Sequence, residues 1–129
     1  MLVELAPEIG HLAHMATHID IQIGDYEESI YKNNLGLVAD LKYLKYRESL
    51  GKSPTCFYLY YVCHSPHFAL YSAMFTGQYD VAMKHGHEIL KLLPLNVLQD
   101  TKGFTPIATN WLEPYIQPIL MTYIRFGKW

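Results

Sequence analysis

Apolar residues recur at intervals of three and four between about Glu8 and Ile23, at Ile9, Leu12, Ala13, Ala16, Ile19 and Ile23. That period predicts a helix. Gly24 ends it, because glycine accepts the left-handed conformation at a helix terminus. Asp25 then caps a second helix whose first turn carries Glu27 and Glu28, both favourable at the positive end of a helix dipole. This helix continues through Ile30, Leu35 and Val38 to about Tyr46, weakened locally by Asn33, Asn34 and Gly36. Residues 48–54, with Gly51, Ser53 and Pro54, read as a loop. The aromatic run from Cys56 to Cys63 could stand alone as a strand. Between helices it reads better as a buried connector or short helix. Ser65-Pro66 opens a third helix, since proline suits a first helical turn. That helix runs to Gly77; a fourth spans about Tyr79 to Leu93 and stops at Pro94. A long connector from Leu95 to Asn110 leads to a fifth helix over about Trp111 to Phe126, with Pro114 near its start and Pro118 as a kink point.

The helices fall into pairs. Gly24 and Gly77 lie 53 residues apart, and Gly77 and Gly127 lie 50 apart. Recurrence at such a period predicts an all-α solenoid of stacked antiparallel helix pairs, joined by long connectors. Three units follow: about 8–47, about 64–94 and an incomplete one at about 111–129.

Gly24-Asp25-Tyr26-Glu27-Glu28-Ser29-Ile30 resembles the helix-turn-helix core of a tetratricopeptide repeat. Gly77-Gln78-Tyr79-Asp80-Val81-Ala82-Met83 is similar, with Ala82 at the small-residue position that Ser29 fills in the first copy. The usual repeat is 34 residues, so each unit is 16 to 19 longer, an excess assigned to the connectors Leu44–Val62 and Leu95–Asn110. A narrower resemblance is to a group of mostly bacterial tetratricopeptide-repeat proteins without an established activity. Its motifs match His14-Met15-Ala16-Thr17-His18-Ile19, Tyr60-Tyr61-Val62-Cys63-His64-Ser65-Pro66-His67-Phe68 and Arg125 to Trp129, and the likeness extends to Asn33 and Asp40. Ala16 stands where that group usually has proline.

Composition removes several classes of function. Half of the 129 residues are hydrophobic and 14% aromatic, which is the composition of a folded domain. A formal charge of −2 provides no basic footprint for nucleic acid. Two cysteines, Cys56 and Cys63, are too few for a disulfide framework. No apolar run reaches the roughly 18 residues of a membrane span. No signal peptide is visible at the first residues, which slightly favours the cytoplasm. No glycine-rich phosphate loop, paired-cysteine motif or hydrolase elbow occurs. The chain stops at Trp129, where the earlier copies run on into another helix. A fragment cut within a third repeat is expected, with the parent chain packing on the apolar face around Ile116, Ile119 and Ile124.

Histidine supplies the candidate chemistry. His11 and His64 both lie thirteen residues before their turn glycines, and His14 and His67 both lie ten before. His11, His14 and His18 fall within an arc of about 60° on one helix. The resemblance implies that the first helix of each pair lines a concave groove and that offsets of thirteen, ten and six face the ligand. Tyr71 takes the six-before position in the second unit; Pro114, Gln117 and Met121 take the three positions in the third. Three readings follow. The histidines could bond neighbouring carbonyls, Asn33 or Asp40 and shape a polar groove. His14, His18, His64 and His67 could share a divalent ion such as zinc, nickel or copper, with Asp40 or Asn33 orienting a ring. A histidine could act as an acid–base catalyst, although no nucleophile or second carboxylate accompanies it. The leading expectation is a binding module, rather than an enzyme, whose groove holds a peptide or small ligand. Its candidate residues are His11, His14, His18, Asn33, Asp40, His64, His67 and Tyr71. His85 and His87, two apart on the fourth helix, read as surface residues.

Overall fold

The computed structural model describes residues 2–95, 98 and 110–128. Every regular element among them is helical: α1 (Leu2–Leu5), α2 (Gly10–Ile23), α3 (Tyr26–Ser49), α4 (Cys56–Phe75), α5 (Tyr79–Leu92), a 3-10 turn at Glu113–Tyr115, and α6 (Gln117–Arg125). The expected stops are in place. Gly24, Gly77 and Gly127 adopt φ of 80°, 76° and 61°, values open to glycine at little cost. The Asp25 carboxylate accepts the Glu28 backbone N–H at 3.3 Å, as a cap should.

Two boundaries differ from expectation. The second helix continues to Ser49, and the aromatic run beginning at Cys56 is itself the first half of α4 rather than a connector. Thr55 caps that start, its hydroxyl accepting the Tyr58 N–H at 3.2 Å. Pro66 therefore lies inside α4 instead of opening it. Proline removes one helical hydrogen bond there, but a capped and buried helix on both flanks outweighs that loss. The extra length in this part of the chain sits in helices of 24 and 20 residues, and the link between them is only Leu50–Thr55. The connector expected over Leu95–Asn110 lies mostly outside the described residues.

Consecutive helices pack on one another, and contacts fix their directions. His14 meets Asn33 and Gly10 meets Gly36 and Asp40, so α2 and α3 are antiparallel. Ser72 meets Ser29 and Tyr58 meets Asp40, so α3 and α4 are antiparallel too. His11, His14 and His18 meet Tyr61, His64 and Phe68 in register, which makes α2 and α4 parallel neighbours. The apolar core lies toward the second half of the chain, around Leu70, Ala73, Met83, Ile89, Leu93, Leu112 and Ile119.

The α2–α3 seam is different, because it is polar. Ile9, Ile19 and Ile23, part of the stripe that marks α2 as a helix, are exposed, while Gly10, Ala13, His14, Thr17 and Asp20 are buried. A Cβ on Gly10 would collide with the Gly36 carbonyl oxygen and the Asp40 carboxyl group, so this crossing depends on absent side chains. Lys32 holds both carboxylate oxygens of Asp20 at 3.0 Å and completes the seam. On α6, Ile119 is buried against Gly86, and Ile116 just before the helix is half-buried, so the exposed apolar residues of α6 are Leu120, Met121, Tyr123 and Ile124.

Candidate functional site

Four imidazoles gather where α2 runs beside α4. Ring centroids of His14 lie 5.4 Å from His11, 4.9 Å from His18 and 5.2 Å from His64, and His11 and His64 are 6.0 Å apart. The 60° arc on α2 is the reason three of them share a face.

His14 is fully buried, and its partner fixes its chemistry. The Asn33 amide donates to the Ser29 carbonyl at 2.9 Å, so its Oδ1 is the acceptor facing His14 Nδ1 at 3.0 Å. His14 is thus the Nδ1–H tautomer, leaving Nε2 as an unpartnered acceptor. The chain of bonds continues through Ser29, whose hydroxyl accepts from Ser72 at 2.8 Å. Asn33 ties α2 to α3, and Ser29 ties α3 to α4. This is the first reading of the histidines, realised at His14 with Asn33.

His64 follows the same reading with a backbone carbonyl. Its Nδ1 lies 2.9 Å from the Tyr60 oxygen and 2.6 Å from the Tyr115 hydroxyl. Tyr115 also reaches the Tyr60 oxygen at 3.4 Å, linking the 3-10 turn to α4. His67 faces away from α2. Its ring packs on Tyr71 at 5.0 Å and Tyr115 at 5.1 Å. Residues three apart on a helix point about 60° apart, and here that angle straddles the ridge of α4. His64 leans toward α2, and His67 toward the C-terminal turn.

The four rings expected to share one ion are thereby divided. Among the described residues, no group of three or more His, Cys, Asp or Glu side chains is arranged to hold a metal ion. Asn33 and Asp40 are helix–helix contacts rather than groove residues. The Asp40 carboxylate accepts the Tyr58 hydroxyl at 3.0 Å, and its other oxygen is buried without a partner. Tyr71 lines a separate cavity of about 300 Å³ with Met74, Phe75, Met121, Ile124 and Arg125.

One of several clefts adjoins His64 and His67. This cleft of about 390 Å³ is lined by Tyr60, His64, His67, Phe68, Asn110, Trp111, Pro114 and Tyr115. Tyr60, Phe68, Asn110, Trp111 and Tyr115 line the cleft without standing among the residues expected from the sequence. Of the positions counted back from Gly127, Pro114 lines the cleft, whereas Gln117 and Met121 lie beyond the 3-10 turn on α6 and do not. The aromatic spacing Trp111–Tyr115 was the available signal.

Burial sets the charge states. It pushes His14 and His67 down to about 4, and it lowers His11 and His64 as well, helped by mutual repulsion among the rings. These imidazoles are neutral at pH 7. Burial raises Asp40 to about 6 and the Cys63 thiol to about 12, so Cys63 is no nucleophile. His85 corrects the surface reading: it is buried, both ring nitrogens lack partners, and burial pushes it down to about 4. His85 faces inward because the buried stripe of α5 runs through Ala82, Met83, His85, Gly86 and Ile89. His87 is exposed.

No helix among the described residues is long and apolar enough to cross a membrane. No protein-family model, curated protein or solved structure matches the chain.

Proposed function

We propose that this chain is a tetratricopeptide-like binding module that holds a small ligand in the cleft between α4 and the C-terminal turn. The observation that carries this reading is the cleft itself: about 390 Å³, with aromatic and imidazole walls and the exposed Trp111 at its edge. Concave, mainly apolar spaces of this size with a few fixed polar groups are the usual form of small-molecule sites. Neutral His64 and His67, with Asn110, are the polar lining residues here. The turn glycines and the order of the helices favour the repeat family. In such a stack α2, α4 and α6 are the first members of their pairs, and the cleft faces the side they share. Leu120, Met121 and Ile124 leave an exposed apolar face on α6.

Trp111 fluorescence in a Trp129→Phe background tests the site against a set of small aromatic and cationic compounds. Saturable changes that disappear in His67→Ala and Tyr115→Leu are expected. A response from no compound would remove the cleft as a ligand site.

A further inference from the structure

Charge and ring geometry narrow the ligand. Tyr60 stands at 66° to Tyr115 and 55° to Trp111, and Tyr115 stands at 86° to His67, with centroids 5.1 to 6.0 Å apart. Steeply inclined neighbouring rings make the corners of a box, whereas a slot for a flat ligand needs parallel walls. No Lys, Arg, Asp or Glu is among the described lining residues. Among the described lining residues an anion would find no charge partner. Aromatic faces carry negative quadrupoles and attract a cation of low hydration. The imidazoles of His64 and His67 are held neutral by burial and do not oppose one. Glu113, beside Pro114, is exposed at the start of the 3-10 turn and biases the approach toward positive charge.

We infer that the cleft recognises a methylated ammonium group, boxed by Tyr60, His67, Trp111 and Tyr115. This rests on the cleft being the ligand site. A tetraalkylammonium head has no N–H to satisfy, so a box of rings with few hydrogen-bonding groups suits it better than a primary amine. The same head could come from a small molecule or from a trimethylated lysine of a peptide. The cleft opens beside the exposed Trp111 and has room for a whole small molecule, which favours the first.

The test compares choline with 3,3-dimethylbutan-1-ol, its uncharged isostere, by Trp111 fluorescence and calorimetry at pH 7.5 in the Trp129→Phe chain. Choline should bind at least about tenfold more tightly, the ratio expected when two ring contacts are lost. Trp111→Leu, which removes one ring contact, should weaken choline by about threefold. That residue is exposed, so the fold should survive, and circular dichroism checks it. Tyr60→Phe keeps the ring and should keep binding, and Tyr60→Leu should lose it. A trimethyl-lysine peptide binding more tightly than choline would still support ammonium recognition and would place the head on a peptide. Equal binding of the alcohol, or binding of neutral aromatic compounds alone, would overturn the ammonium inference while leaving the cleft as a site. No binding by any of them would overturn both.

Discussion

At the scale of the residue, His14 is held by one helix-to-helix hydrogen bond. Its ring is buried, and its single bond to Asn33 determines which nitrogen carries the proton. Asn33→Ala should cost about 1 to 3 kcal/mol, because a buried N–H loses its acceptor. The urea midpoint will report it, and His14→Ala added to Asn33→Ala should cost less than the sum of the two single changes. Acid stability follows from the same burial. His14, His67 and His85 are pushed from 6.5 down to about 4, so their contribution is complete above about pH 6.5 and drains away as pH falls toward 4. Asp40, raised to about 6, has the opposite sign and favours the fold as pH falls through the same range. Three groups outweigh one. The melting temperature should be lower at pH 5 than at pH 7.5, and His85→Leu should reduce the difference. A flat profile would contradict these charge states. The shared face of His11, His14 and His18 was legible in the sequence, because spacings of three and four allow no other outcome on a helix. The burial of His14 was not legible, since it depends on a partner 19 residues away.

At the scale of the element, the turn glycines were legible for a local reason: φ near 80° at Gly24 is a backbone requirement that glycine meets. The boundaries of α3 and α4 were not, because tertiary packing carries both helices through residues of weak propensity. Gly10 shows the limit most clearly. Alanine would favour an isolated helix by about 1 kcal/mol, yet at this crossing its Cβ meets the Gly36 backbone and Asp40. Gly10→Ala should therefore destabilise the protein by about 1 to 3 kcal/mol, as overpacking does. Gly24→Ala, which meets no atom within 4 Å, should cost only the left-handed strain of about 1 to 2 kcal/mol. Denaturant midpoints of the two variants separate a packing glycine from a turn glycine. The divided roles of His64 and His67 are also an element-scale property. Matched offsets place both on the open side of α4, but which neighbour each meets depends on where α2 and the C-terminal turn lie.

At the scale of the molecule, the chain has a polar seam at one end, an apolar core toward the other, and an aromatic cleft beside α4. Leu120, Met121 and Ile124 leave α6 with an exposed apolar face. The chain should bind a hydrophobic dye or self-associate with rising concentration, and Leu120→Lys with Ile124→Glu should reduce both effects. Sedimentation at several concentrations measures this; a monomer that ignores dye would mean that the face is covered. The proposed ligand site separates the histidines that line the cleft, His64 and His67, from those packed elsewhere. Carbon–proton correlation spectra of the seven imidazole rings during a choline titration test it most directly. Saturable shifts at His64 and His67, with His18, His85 and His87 unmoved, are the predicted result. Shifts centred on His11 and His18, or equal small drifts at all seven rings, would contradict it.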